Sequence, residues 1–126
     1  MDMPVRNIAN ENARKAFSAI LDVKENHPDA AKEYLSLVRG TDAFIHQCGL
    51  LQTLAFYLAK KKDHHHLLME HMLEYLGPEY LPDCDRLKGY RRLIGRKDTE
   101  LMLCTAKIRQ YILWLKRYAE AMLDEK

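Results

Sequence analysis

DTELMLCTAKIRQYILWLKRYAEAML, residues 98–123, runs without proline or glycine. Leu101, Cys104, Ile108, Ile112, Leu115, Ala119 and Met122 recur in it at three- and four-residue steps. At about 100° per residue that spacing puts them on one face of a helix. Arg109, Lys116 and Glu120 fall opposite, and Leu103, Trp114 and Ala121 form a second apolar strip belonging to neither face. A helix with apolar surface on two sides must be covered on two sides, by its own domain or by another subunit. The ordinary reading is the central helix of a small bundle. Asp98 or Thr99 is expected to cap its start, because their side-chain oxygens can accept the free N–H groups of the first turn.

Upstream, the same periodicity repeats in shorter pieces. Ala9, Ala13, Ala16, Phe17 and Ile20 predict a helix over 7–25 that ends at Asn26-His27-Pro28, because proline disfavours helix in the residue before it. A second helix is expected from Pro28 or Asp29, striped by Ala30, Tyr34, Leu37 and Val38 and stopped by Gly40 as its C-terminal glycine. Thr41 or Asp42 then caps a third, carrying Phe44, Cys48, Leu51, Ala55 and Leu58 with Ile45, Phe56 and Ala59 beside them, and Gly49 in its middle. A fourth covers 64–76 on Leu67, Leu68, Met72, Leu73 and Leu76, and a fifth covers 84–94 on Leu87, Tyr90, Leu93 and Ile94. No segment alternates at period two over strand length. The expectation is all-α: one compact, bundle-like domain over 1–126, of about five to six helices and no β-sheet.

The 126 residues suffice for one core but not two. Hydrophobic content of 48% with 30% charged residues, 5 Gly and 4 Pro fits a compact helical protein and argues against disorder or an all-β fold. The net charge of +2 gives little general pull toward nucleic acid or anionic lipid, but its distribution is uneven: residues 59–126 hold fourteen basic against eleven acidic side chains. Cys48, Cys84 and Cys104 are few, odd in number and widely spaced, the usage of a reducing compartment. In a helix such a thiol acts as a small apolar side chain. The N-terminus lacks an apolar stretch of signal-peptide length. The longest nearly uncharged run, 43–59, contains His46, Gln47 and Gln52 and is too short and polar for a bilayer. A cytoplasmic protein without membrane contact is expected.

No catalytic or metal-binding constellation is expected. His64, His65 and His66 point about 100° apart on a helix, and His71 stands two turns from its same-face neighbour, roughly 10 Å away, so the four read as a polar helix surface. No HExxH motif or Cys pair lies nearby. His46 and Cys48 face opposite ways, and His46 reads as a partly buried, satisfied side chain. There is no GxSxG and no Gly-rich phosphate loop. No cofactor is implied. The basic residues are more informative. Lys60, Lys61 and Lys62 form one cluster, and Arg86, Lys88, Arg91, Arg92, Arg96 and Lys97 a second, with Tyr90 inside it. Lys107, Arg109, Lys116 and Arg117 decorate the last helix. Such clusters can neutralise phosphates without reading bases. The competing reading is an ordinary solvated helix surface.

Two stretches carry a resemblance. Thr41-Asp42-Ala43-Phe44-Ile45-His46-Gln47-Cys48-Gly49-Leu50-Leu51-Gln52-Thr53-Leu54-Ala55-Phe56-Tyr57-Leu58-Ala59-Lys60 and Tyr111-Ile112-Leu113-Trp114-Leu115-Lys116-Arg117-Tyr118-Ala119-Glu120-Ala121-Met122-Leu123 resemble an inner helix and the closing helix of the small subunit of the Cmr-type (type III-B) CRISPR RNA-guided effector complex. The segment 30–39 is similar to that family's second helix. Cys48 stands where the family often has Asn, and Asp42 where it often has Pro. The resemblance implies a non-catalytic subunit that stacks in copies along a ribonucleoprotein, touches the other Cmr subunits, and meets the guide RNA and target RNA through basic residues. On that reading Lys116 and Arg117 are the first RNA-binding candidates, then Lys60, with Lys61, Lys62, Arg91 and Arg96 beside them. Leu103, Trp114 and Ala121 are candidates for a partner interface. The alternatives are a helical protein–protein adaptor without nucleic-acid contact, and a metal- or ligand-binding bundle enzyme using the His64–His71 segment.

Overall fold

Asn7 opens the first helix: its Oδ1 accepts the Asn10 amide at 3.1 Å, satisfying one of the free donors of the first turn. The structure, a computed structural model, describes residues 7–123. Its α-helices are α1 (Ile8–Asn26), α2 (Ala31–Cys48), α3 (Leu50–Ala59), α4 (Asp63–Leu76), α5 (Arg86–Ile94) and α6 (Asp98–Met122). Short 3₁₀ turns at Pro28–Ala30, Pro78–Tyr80 and Pro82–Cys84 raise the count of helical segments above the five to six expected. Each begins at a proline, whose missing N–H costs nothing at a helix start. No strand occurs among the described residues.

α6 is the spine, with α1 and α2 packed along it. Ile108, Ile112, Leu115 and Ala119 of its expected stripe are fully buried, and Leu101, Cys104 and Met122 are partly buried against the same core. Tyr111 joins them in the interior, stacked on Tyr75 at 4.1 Å. Neither Asp98 nor Thr99 caps this helix. Lys97 stands at the cap position without a side-chain bond, and Asp98 and Glu100 lie in the first turn, where negative charge offsets the helix dipole.

The second and third helices differ from the sequence reading. α2 runs straight through Gly40, Thr41 and Asp42, and the break falls at Gly49, with φ +84° and ψ 163°. A glycine and a threonine side by side imitate a stop and a cap. Here the buried positions Tyr34, Val38, Thr41 and Ile45 continue unbroken, and packing outweighs the local signal. The Thr41 hydroxyl sits within the helix, bonded to the Leu37 carbonyl and the Tyr57 hydroxyl, each at 2.8 Å. α3 therefore buries Leu50, Thr53, Leu54 and Tyr57, not the stripe an uninterrupted helix would show. Cys48 and His46 end up exposed.

Two further differences follow from tertiary packing. Phe17 lies at the rim, 45% exposed and edge-on to Tyr118 at 5.5 Å, while Asn12, Ala16, Ala19, Ile20 and Val23 form the inward face of α1. His71 is buried rather than at a polar surface. α5 starts at Arg86 after Asp85, whose Oδ1 accepts the Lys88 amide. It seats against the turn at Tyr80 through Gly89, where a Cβ would overlap the Tyr80 carbonyl oxygen.

Candidate nucleic-acid interface

The chain's basic residues separate into those spent on the fold and those left facing solvent. Arg109 clamps Asp42 with Nε at 2.8 Å and Nη2 at 3.3 Å, tying α6 to α2. That hydrogen bond is the largest of the effects holding the Asp42 carboxyl below its usual range, and the fields of His46 and Lys116 add to it. Arg86 pairs with Glu70 of α4. Arg96 donates from Nε to the Tyr80 hydroxyl at 2.7 Å, lies 5.2 Å from the Tyr80 ring centre and has Glu79 and Glu100 within 4.0 Å. Of the RNA-binding candidates Arg96 is thus the one whose guanidinium is engaged inside the fold. Lys88 lies 3.7 Å from Asp83.

Lys60, Lys61 and Lys62 form the whole linker between α3 and α4 and are exposed. Lys60 Nζ stands 4.8 Å from the centre of the Phe56 ring. Arg91 is exposed on α5, Arg117 is exposed near the end of α6, and Lys116 is partly covered. These do not make one site. Arg96 precedes α6 and Arg117 lies deep in its second half, so the two stand roughly 28 Å apart along the axis. The Lys60–Lys62 linker follows α3, and Arg91 lies on α5, which packs against it. The Tyr90 hydroxyl donates to the Leu51 carbonyl at 2.9 Å, and Leu58 shares a hollow with Leu87. α3 and α5 therefore run antiparallel, which places Arg91, next to Tyr90, toward the start of α3 and the Lys60–Lys62 linker at its end.

The partner-interface candidates share a strip but not a burial. Leu103 is 57% exposed, Ala121 is exposed, and Trp114 is half-buried with its ring 5.7 Å from that of Tyr118. Met102, 72% exposed, faces a separate groove between the Gly49 break and α6, lined by Leu50, Leu51, Leu101 and Ala106. Sequence reasoning missed this groove because it exists only once α2 and α3 are separate helices.

Burial shifts the proton affinity of several core groups. Burial pushes the Tyr34 and Tyr57 hydroxyls up and His71 down to about 4. Burial also raises the Cys104 thiol, away from nucleophilic use. His65, held down to about 4 mainly by burial and then by His64 and Lys60, packs edge-on to Tyr57 and Phe56. Among the described residues no three His, Cys, Asp or Glu side chains are grouped to hold a metal ion. Among those residues no helix is long and apolar enough to cross a membrane.

A family model described as CRISPR-associated protein (Cas_Cmr5) matches residues 8–122, the whole helical body from α1 to the last residue of α6. The chain belongs to the Cas_Cmr5 family. It is a CRISPR-associated Cmr subunit, the family that the segments at 41–60 and 111–123 resemble in sequence. The crystal structure of a CRISPR-associated Cmr5 family protein from Thermus thermophilus is similar to it, with a TM-score of 0.80 and 21% identity over 95% of this chain and 100% of that one. At that identity the likeness establishes a shared all-helical fold. The family membership gives the solvent-facing lysines and arginines their context.

Proposed function

We propose that this Cas_Cmr5 chain is a non-catalytic, cytoplasmic small subunit of a type III-B effector ribonucleoprotein. It stacks in copies against itself and the other Cmr subunits and contacts the backbone of the guide–target RNA in antiviral defence. The observation that carries the reading is the division of its cations. Arg86, Arg96 and Arg109 hold helices together, while Lys60, Lys61, Lys62, Arg91 and Arg117 face outward. Outward cations on a rigid helical surface suit phosphates, whose recognition needs charge and position rather than base contacts. Leu103, Trp114 and Ala121 are the surface offered to a neighbouring subunit.

A salt titration of the assembled complex tests the RNA contact. Charge reversal at Arg117 together with Lys116 is expected to leave the helical circular dichroism unchanged, weaken RNA retention and flatten the slope of log affinity against log salt by about one per lost phosphate contact. An identical slope would exclude these two residues. The adaptor reading, without RNA contact, draws on the apolar groove beside Met102. Assembly that survives every basic substitution, with RNA retention unaltered, would favour it.

A further inference from the structure

We propose that the hollow between α2, α3 and α5 seats an unpaired base of single-stranded RNA, with Lys60 taking the adjoining phosphate. This rests on the reading of the chain as an RNA-contacting subunit and extends it from backbone to base. The hollow is an open depression of about 510 Å³ lined by Phe44, Leu51, Gln52, Ala55, Phe56 and Tyr90. Its aromatic residues come from three different helices, and the Gly49 break is what turns α3 so that Phe56 meets Phe44, edge to face at 5.4 Å and 86°. Tyr90 is pinned by its bond to the Leu51 carbonyl. Rings already held in place lose little freedom when a base stacks on them.

The chemistry of the rim selects the occupant. No carboxylate lines the hollow, and Lys60, one helical turn beyond its lining residue Phe56, stands over that ring, with Lys61 and Lys62 following in the linker. Phe56 is 41% exposed, and in the free protein the Lys60 ammonium lies over its ring, as cations do on accessible aromatic faces. A base that takes this face displaces the ammonium only as far as the phosphate next to it. Gln52, exposed at the edge, presents both a donor and an acceptor to a base edge. A duplex keeps its base faces inside the stack, so the ligand is an unpaired nucleotide. An apolar protein helix would find the aliphatic groove beside Met102 the better fit.

The test uses the full chain and a short single-stranded oligoribonucleotide that carries one fluorescent adenine analogue and an end label. Anisotropy reports binding, and emission of the analogue reports stacking. The expected result is binding with quenched emission. Phe56→Leu should weaken affinity about fivefold or more and restore emission while leaving the salt slope unchanged. Gln52→Glu, an exposed substitution that places a carboxylate at the edge, should also weaken binding, so the test stands even if Phe56→Leu unfolds. Binding without quenching, or with both variants unaffected, overturns the base seat and leaves the backbone reading intact. No binding of RNA by the unaltered chain, alone or assembled, overturns both. Loss of association with other subunits in Phe56→Leu, with RNA binding unaltered, reassigns the hollow to a protein contact and overturns the proposal.

Discussion

The Tyr34 hydroxyl stands 2.8 Å from His71 Nδ1 inside the closed core, and His71 Nε2 lies 3.7 Å from the Asp22 carboxylate. Three helices, α1, α2 and α4, meet in this chain of side chains. Tyr34 is fully buried and His71 only 7% exposed. A buried phenol keeps its proton and donates it, so the neutral imidazole accepts at Nδ1 and carries its own proton at Nε2, toward Asp22.

Stability should therefore fall in mild acid. His71 titrates at about 4 in the folded chain, chiefly because burial disfavours its charged form and despite the opposing field of Asp22. An unfolded histidine titrates near 6.5. The fold prefers the neutral form, so its contribution is complete above about pH 6.5, declines as the pH falls toward 4 and is flat below. The full loss is about 3 kcal/mol. Urea unfolding at pH 7 and pH 5 should capture about 2 kcal/mol of it. His71→Gln should be less stable at pH 7 and show a shallower loss on acidification; equal slopes in the two proteins would contradict the assignment.

Alanine at Gly40 and at Gly49 should act in opposite directions. Gly40 lies within α2 with nothing inside 4 Å of an added Cβ, so Gly40→Ala should stabilise by about 0.5–1 kcal/mol through helix propensity. Gly49, at φ +84° and ψ 163°, occupies a region that side chains avoid, and Gly49→Ala should cost about 1–3 kcal/mol. Denaturant midpoints of the two variants decide where the helix ends: a break at Gly40 would reverse both signs.

Gly89→Ala should unseat α5. The new Cβ would meet backbone at the Tyr80 carbonyl and the Leu73 side chain at 3.3 Å, and overpacking against atoms that cannot rotate away costs about 1–3 kcal/mol or more. Because α5 carries Tyr90 and Arg91, faster amide exchange should appear in 86–94 before α6 is affected. Unchanged exchange there would show that α5 is held by other contacts.

The sequence by itself determined the helical class, the spine at 98–122, the α4 core of Leu67, Leu68, Met72 and Leu73, and the solvent-facing lysines of the 60–62 linker. Each is a local matter of period, proline placement and charge run. It also carried the family, through the motifs at 41–60 and 111–123. Tertiary structure alone decided that Gly40 is bridged and Gly49 is the break, because the burial of Tyr34, Val38, Thr41 and Ile45 in one continuous face outweighs a cap signal worth about 1 kcal/mol. It also decided which cations are spent. Arg109 and Asp42 are 67 positions apart in the chain yet 2.8 Å apart in space, and no reading of spacing reaches that far. The aromatic hollow belongs to the same class, since Phe44, Phe56 and Tyr90 converge only after three helices have packed and the chain has turned at Gly49.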